Sequence, residues 1–70
     1  MYETAIEHCD KAIQLNPSDV KVRTNKANTF FRKGLLDEAI EEYSMAIILD
    51  SEHIEAYKGR ASAYPARLPL

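Results

Sequence analysis

Apolar residues along the chain recur with the spacing of one face of an α-helix. Five of them open the pattern: Ala5, Ile6, Cys9, Ala12 and Ile13. The same spacing returns farther along the chain at Ala39, Ile40, Tyr43, Ala46 and Ile47. Positions i, i+1, i+4, i+7 and i+8 lie on one side of a helix with about 3.6 residues per turn. Both stretches are therefore predicted to form amphipathic helices.

Turn-forming residues separate these stretches and set the helix ends. Pro17 cannot continue a helical hydrogen-bond ladder, and Asp19 offers a cap for the helix that follows. Gly34 suits the left-handed residue just past a helix end. Asp50 and Ser51 end the next helix and can cap another. The pattern predicts four helices, near residues 2–15, 18–33, 36–49 and 52–64, and the short loops make neighbouring helices antiparallel.

One offset of 34 residues relates the first part of the chain to the second. This offset aligns identical residues: Ala5 with Ala39, Ala12 with Ala46, Leu15 with Leu49, and Ala27 with Ala61. It also aligns similar residues: Val20 with Ile54, Lys26 with Arg60, and Phe30 with Tyr64. A constant offset through four successive segments indicates an internal repeat, in which each unit is one supersecondary element.

The repeat resembles the tetratricopeptide repeat family. The stretch from Gly34 to Ile47 looks like the inner turn and second helix of such a unit, and the stretch from Ala56 to Tyr64 looks like the first helix of the next. The resemblance implies an all-α fold of about four helices, built from antiparallel helix-turn-helix repeats as part of a right-handed solenoid. It divides the chain into a second helix of a preceding repeat (1–19), a complete repeat (20–53) and a first helix of a following repeat (54–64). The last residues (65–70) are expected to form a disordered tail, because two prolines break the pattern there.

The resemblance also implies where the helices pack. Small residues such as Ala27 and Ala61 would lie where helix backbones approach closely, because larger side chains would overpack the contact. The spaces between layers would be filled by Phe30, Tyr43, Tyr57 and Tyr64. Arg23 stands where the family often has a large aromatic residue. We expect Arg23 and Lys26 to lay their aliphatic stems along the helix packing.

Composition and charge limit the classes of function. The net charge of −2 gives no basic signal for nucleic acid. There is no apolar stretch near the roughly 18 residues that a membrane span needs, and no secretory signal at the start. Cys9 is the single cysteine, so a reducing interior compartment is the default. These features predict a cytoplasmic module that binds neither nucleic acid nor membrane.

Residues with catalytic or metal-binding chemistry are present but poorly arranged. His8, Cys9 and Asp10 are adjacent, and successive helical residues point about 100° apart, so they cannot converge on one substrate atom. Glu38, Glu41 and Glu42 are interpreted as a solvated outer face, and His53 as an exposed side chain without a partner. The sequence therefore predicts no enzyme, no cofactor and no metal site.

Charge is separated between neighbouring helices, which suggests a binding face. Five cations against Asp19 give +4 over residues 18–33, and five carboxylates without a cation give −5 over residues 34–50. In the family, the first helix of each unit lines a concave groove. By that resemblance the groove residues on one helical face would be Lys21, Thr24, Asn25, Asn28, Phe31 and Arg32. The expected partner is another protein or peptide of acidic or mixed charge, held in extended form.

Several alternatives stay open from the residues alone. Some family members clamp the C-terminal carboxylate of heat-shock chaperones with lysine, asparagine and arginine side chains. Asn25 matches one asparagine of that set, whereas Glu55 and Gly59 stand where a lysine and an arginine would be. The chain could also be an accessory segment of a larger enzyme, or a structural spacer whose charges only keep it soluble and pair between helices.

One complete unit with two half units predicts marginal stability or self-association. Repeat stacks normally need about three repeats with polar ends, because each unit buries its apolar face only against its neighbours. We therefore expect the isolated chain to unfold at a low temperature or at one that rises with protein concentration. Calorimetry tests this, and a sharp, concentration-independent midpoint above about 60 °C would contradict it.

Overall fold

Four α-helices of 14 residues each make up the part of the chain that the structure describes. The structure is a computed structural model, and it describes residues 1–67. The helices are α1 (Tyr2–Leu15), α2 (Val20–Lys33), α3 (Leu36–Leu49) and α4 (Ile54–Arg67). No strand occurs within residues 1–67. The all-α fold of helix-turn-helix repeats is confirmed, with helix starts within two residues of those predicted.

The turns end the helices as their residues dictate. Gly34 adopts a left-handed φ of 90°, and its N–H donates to the carbonyl of Phe31 at 3.0 Å. The Leu35 N–H then donates to Phe30 O at 2.9 Å, which closes the C-terminal turn of α2. Asp19 caps the start of α2, where its Oδ1 accepts from the N–H groups of Lys21 and Val22.

The two turns between repeat units are built alike. Asn16 Oδ1 accepts from the Ser18 N–H at 3.3 Å, and 34 residues later Asp50 Oδ1 accepts from the Glu52 N–H at 3.0 Å. Asp50 rather than Ser51 therefore holds the second turn. The helix after it starts at Ile54, two residues later than predicted.

The end of α4 differs from the sequence prediction. The helix continues through Pro65 to Arg67, whereas the sequence predicted an end at residue 64 and a disordered tail from residue 65. Proline removes one helical hydrogen bond at a cost of about 3 kcal/mol. Two contacts hold this turn against α3: buried Ala63 and the ion pair of Arg67 with Asp37. The rest of the predicted tail, residues 68–70, lies outside the described residues.

A small core of alanines lets the helices approach closely. Its fully or nearly fully buried members are Ala27, Ala39, Tyr43, Ala46, Ala56 and Ala63. Half-buried apolar side chains surround it, from Val20, Phe30, Phe31, Ile40 and Ile47. Close approach at Ala27 is therefore confirmed.

Three packing predictions for α4 are wrong. Ala61 is exposed, and Tyr57 and Tyr64 keep 40% and 48% of their surface exposed. The helix instead turns Ala56 and Ala63 toward α3. Within residues 1–67, no helix covers the opposite side of α4, which explains the exposure.

Tyr43 packs where α4 has no side chain. A Cβ placed on Gly59 would lie 2.3 Å from Cε1 and Cζ of the Tyr43 ring, well inside van der Waals contact. The missing side chain of Gly59 therefore makes room for the largest buried residue of the core. This contact fixes the separation of α3 and α4.

Gly59→Ala tests that constraint. Replacing a helical glycine by alanine normally stabilises by about 1 kcal/mol. Here we expect a loss of about 1–3 kcal/mol in the free energy of unfolding, because the new methyl group overpacks the Tyr43 ring. Urea unfolding measures the change. Lys58→Ala, at the exposed neighbouring position, is the control with little effect. A stabilised Gly59→Ala variant would contradict the packing argument.

Candidate functional site

A groove lies between α2 and α4, which run in the same direction, with α3 behind them. Its volume is about 490 Å³. Eight residues line it: Asn28, Phe31 and Arg32 from α2, Tyr43 from α3, and Glu55, Lys58, Gly59 and Ser62 from α4. The groove joins α2 and α4, the two helices that the 34-residue offset relates.

Tyr43 forms the floor of the groove and orients a polar side chain at its wall. The side chain is 2% exposed, and its hydroxyl donates a hydrogen bond to Oδ1 of Asn28. Burial raises the pKa of the Tyr43 hydroxyl, and the nearby Arg32 charge only partly opposes this. With its oxygen engaged, Asn28 offers its amide nitrogen, a hydrogen-bond donor, to the groove.

The charges and the apolar surface of the groove suit an extended peptide. Arg32 and Lys58 contribute cations from opposite walls, and Glu55 contributes one carboxylate. Phe31 is half-buried and adds an aromatic face. The lining therefore carries a net charge of +1 with donors on both walls.

The structure brings three of the six predicted groove residues into the lining. These are Asn28, Phe31 and Arg32. Lys21 and Asn25 are exposed on α2 but lie outside the cavity lining. Thr24 is only 2% exposed, and its hydroxyl donates to the carbonyl of Val20 at 2.8 Å. Thr24 is therefore committed to its own helix and drops out of the site.

Sequence reasoning missed the wall that α4 contributes. Its four lining residues, Glu55, Lys58, Gly59 and Ser62, stand 34 positions after Lys21, Thr24, Asn25 and Asn28. Applying the repeat offset to the predicted face of α2 would have found them. Tyr43 was predicted as core packing, and no local signal showed that its hydroxyl would reach Asn28.

A partly buried ion network joins α1, α2 and α3. Glu42 Oε1 lies 3.2 Å from Nη1 of Arg23, and Glu42 Oε2 lies 3.7 Å from Nζ of Lys26. Lys26 Nζ also lies 2.7 Å from Oδ1 of Asp10. Arg23 and Lys26 do lie along the helix packing, as predicted. The interpretation of Glu42 as solvated is wrong, since the residue is 8% exposed and its carboxylate lies beside both cations.

Lys26 has opposing influences on its protonation. Desolvation by itself lowers the pKa of Lys26, but the hydrogen bond to Asp10 and the charge of Glu42 outweigh it, so the pKa is raised. Its ammonium group also lies 5.8 Å from the centre of the Phe30 ring. The network therefore holds Lys26 in its charged form.

The other residues with reactive chemistry are dispersed. Burial raises the pKa of Cys9, which is half-buried on the apolar side of α1. His53 is half-buried, contrary to the predicted exposure, and its Nε2 has no hydrogen-bond partner in the described part of the chain. Within residues 1–67, no three His, Cys, Asp or Glu side chains come together as metal ligands. In the same range, no helix is both long and apolar enough to span a membrane.

Comparison with known proteins finds one family and several relatives. The family model described as "Tetratricopeptide repeat" matches residues 1–63. The chain is 38% identical over 63 residues to human tetratricopeptide repeat protein 13, covering 90% of this chain and 7% of that protein. It is 39% identical over 46 residues to an Hsp70-Hsp90 organizing protein of Triticum aestivum, covering 66% of this chain and 8% of that protein.

An enzyme is also among the relatives. The chain is 39% identical over 57 residues to the mouse protein O-mannosyl-transferase TMTC1, covering 76% of this chain and 6% of the relative. The chain thus spans less than a tenth of the length of each of these three relatives.

Stability at high pH tests the ion network and the buried tyrosine together. Lys26 and Tyr43 both have a pKa raised above their ordinary values of 10.5 and 10.0. Each group binds its proton more tightly in the folded state, so its contribution is complete below the unfolded pKa and is lost as pH rises through the folded pKa. We expect the free energy of unfolding to fall from about pH 10 upward. Urea unfolding at several pH values measures it.

Two variants serve as controls for that measurement. Tyr43→Phe and Lys26→Met each remove one of the titrating groups, so each should flatten the decline at high pH. A decline of unchanged steepness in both variants would show that other groups cause it.

Proposed function

Because the chain belongs to the tetratricopeptide repeat family, we propose that it binds a peptide or partner protein in the groove between α2 and α4. Members of this family generally act as protein-interaction modules. The observation that carries the proposal is the groove itself, with cations on both walls and an aromatic face beside them. The partner segment is extended and carries acidic side chains.

Each part of the lining has a role toward such a segment. The Asn28 amide donates to a backbone carbonyl of the peptide, and Arg32 and Lys58 pair with its carboxylates. Phe31 packs against an apolar side chain. Glu55 disfavours peptides with acidic residues at its end of the groove, which sets direction and register.

The site is fixed before a partner binds. Tyr43 is held between α3 and α4 by Gly59, and its hydroxyl holds Asn28. A donor that is already oriented loses little conformational entropy on binding. A fixed site of this kind favours peptides with one backbone conformation, because its side chains do not rearrange to fit others.

The groove offers little support for catalysis. Ser62 and Lys58 are its candidate nucleophiles, and neither histidine of the chain is part of the lining. Glu55 is the one carboxylate in the lining. General acid–base chemistry needs a base within hydrogen-bond reach of the group that it activates. We therefore propose a non-catalytic role in a cytoplasmic setting, where the single Cys9 stays reduced.

Two alternative functions are suggested by the relatives and not by the groove. The likeness to an Hsp70-Hsp90 organizing protein favours a co-chaperone type that takes the C-terminal peptide of a chaperone. Against it, the ring of Tyr43 occupies the space that an arginine at Gly59 would need. The likeness to an O-mannosyl-transferase favours an accessory repeat segment of a larger enzyme, which would still use this groove for binding.

Charge reversal in the groove tests the proposal. Short acidic and basic peptides selected from a random display library serve as labelled probes, with binding followed by fluorescence anisotropy. We expect Arg32→Glu/Lys58→Glu to weaken binding of the selected acidic peptide at least tenfold, about 1.4 kcal/mol, and to improve binding of basic peptides. Rising salt concentration should weaken the binding of the acidic peptide to the native chain.

The matched control is Lys11→Glu/Lys21→Glu, which changes the net charge equally on exposed side chains outside the cavity lining. If both double variants lost the same affinity for the acidic peptide, the binding would come from general electrostatic attraction, which would contradict a site in the groove. A preference for the free over the amidated peptide C-terminus would favour the co-chaperone type. Failure to select any peptide would favour a structural spacer.

A further inference from the structure

Ser62 lies in the α4 wall of the groove, and its side chain is exposed. Other hydroxyl groups in the helices are engaged by the fold. Thr24 and Thr29 donate to backbone carbonyls of their own helix at 2.8 and 2.9 Å, and the Ser44 hydroxyl accepts from α4 at 3.2 Å. Within residues 1–67, Ser62 makes no side-chain hydrogen bond of this kind. Its hydroxyl is therefore free to react at the surface of the groove.

Lys58 lies next to Ser62 on the same side of α4. The two residues are four positions apart, and both line the groove. Residues at this spacing on a helix have Cβ atoms about 5–6 Å apart. The Lys58 ammonium group therefore reaches an anion attached to Ser62.

Arg32 lies across the groove at the level of Ser62. Tyr43 packs on Gly59 and donates to Asn28, which places Gly59 and Asn28 at one level of the parallel helices α4 and α2. Arg32 follows Asn28 by four positions, and Ser62 follows Gly59 by three. An anion attached to Ser62 would therefore lie between a cation on its own helix and a cation on the opposite wall.

The sequence before Ser62 is basic. Lys58 and Arg60 stand four and two positions before it. The other serines of the chain have no cation among the four residues before them: Ser18, Ser44 and Ser51. Thr24 also follows cations, but it is only 2% exposed. Because protein kinases select their substrates partly by charge, Ser62 suits a kinase whose substrate-binding surface is acidic.

Pro65 weakens the helix around Ser62. Proline has no N–H, so the carbonyl of Ala61 receives no helical hydrogen bond from position 65. A helix end that lacks a hydrogen bond opens at a lower free energy than the centre of the helix. The segment from Ala61 onward can therefore enter a kinase in extended form while α1 to α3 stay folded.

We propose that Ser62 is a phosphorylation site and that its phosphorylation closes the groove to acidic peptides, the second part resting on the proposed function. The γ-phosphoryl group of ATP passes to Oγ of Ser62: its bond to the bridging oxygen breaks, the new P–O bond forms, ADP leaves and the hydroxyl proton passes to the kinase. The phosphate carries a charge of about −1.5 to −2 and three acceptor oxygens.

Pairing of this phosphate with Lys58 and Arg32 removes both cations that an acidic peptide would use. The net charge of the lining changes from +1 to about −1, since Glu55 is the other carboxylate-type charge in it. Phosphorylation therefore changes the preference of the groove from acidic to basic peptides.

A kinase assay on the whole chain tests whether Ser62 is modified. The chain is incubated with ATP and a serine kinase that requires basic residues before its target, and mass spectrometry follows each site. We expect Ser62 to be phosphorylated at least about tenfold faster than exposed Ser51, and Lys58→Ala/Arg60→Ala to remove most of that difference. Equal rates at Ser62 and Ser51 would overturn the assignment of the site.

A phosphate titration tests whether the groove cations hold the new group. The chain of 70 residues is synthesised with phosphate on Ser62, and phosphorus NMR follows the second ionisation. We expect its pKa to lie below the ordinary value of about 6, because Arg32 and Lys58 favour the dianion. Arg32→Gln/Lys58→Gln should return the pKa to about 6. The same pKa with and without the two cations would overturn the pairing.

Peptide binding tests the effect on the groove, with the chain phosphorylated at Ser51 as the control of equal charge outside the lining. We expect phosphate on Ser62 to weaken the selected acidic peptide at least about tenfold and to strengthen basic peptides, which also shows that the groove stays folded. Equal affinities of the two phosphorylated chains would overturn the switch. If the native chain selects no acidic peptide, the proposed function fails, while the kinase assay and the titration still decide the site and the pairing.

Discussion

The packing of Tyr43 against the bare backbone of Gly59 is the contact on which the rest of the structure depends. A single added methyl group would lie 2.3 Å from the ring, so the separation of α3 and α4 depends on glycine at this position. The ring in turn fills the core among five alanines, and its hydroxyl reaches across to Asn28 on α2. One close approach therefore sets the helix spacing, the floor of the groove and the orientation of its amide.

Charge plays two different roles on the two sides of α2. Arg23 and Lys26 are used inside the fold, where Glu42 and Asp10 hold them between helices. Arg32 is exposed at the groove and remains available to a partner. The separation of basic and acidic helices thus reflects internal pairing as well as the proposed binding face. Removing Glu42 would leave the largely buried Arg23 without its acceptor and Lys26 with Asp10 alone, which is more costly than losing an exposed pair.

Repetition gives each helix more than one surface. On α4, the lining of the groove lies on a different side of the helix from the exposed residues Ile54, Tyr57 and Ala61. The groove follows from the 34-residue offset, since it joins the equivalent helices α2 and α4. A repeat protein depends on contacts between neighbours in this way, because one unit alone leaves apolar surface uncovered.

The sequence by itself determined the four helices, their turns and the repeat, because these depend on local signals: apolar periodicity, the cap of Asp19 and the left-handed φ of Gly34. It also found the α2 wall of the groove at Asn28, Phe31 and Arg32. Only the tertiary structure decided that Thr24 and Glu42 are buried, that Ala61 is exposed and that α4 forms the opposite wall. Burial of a helical residue depends on which helices lie beside it, and periodicity on one helix does not contain that information.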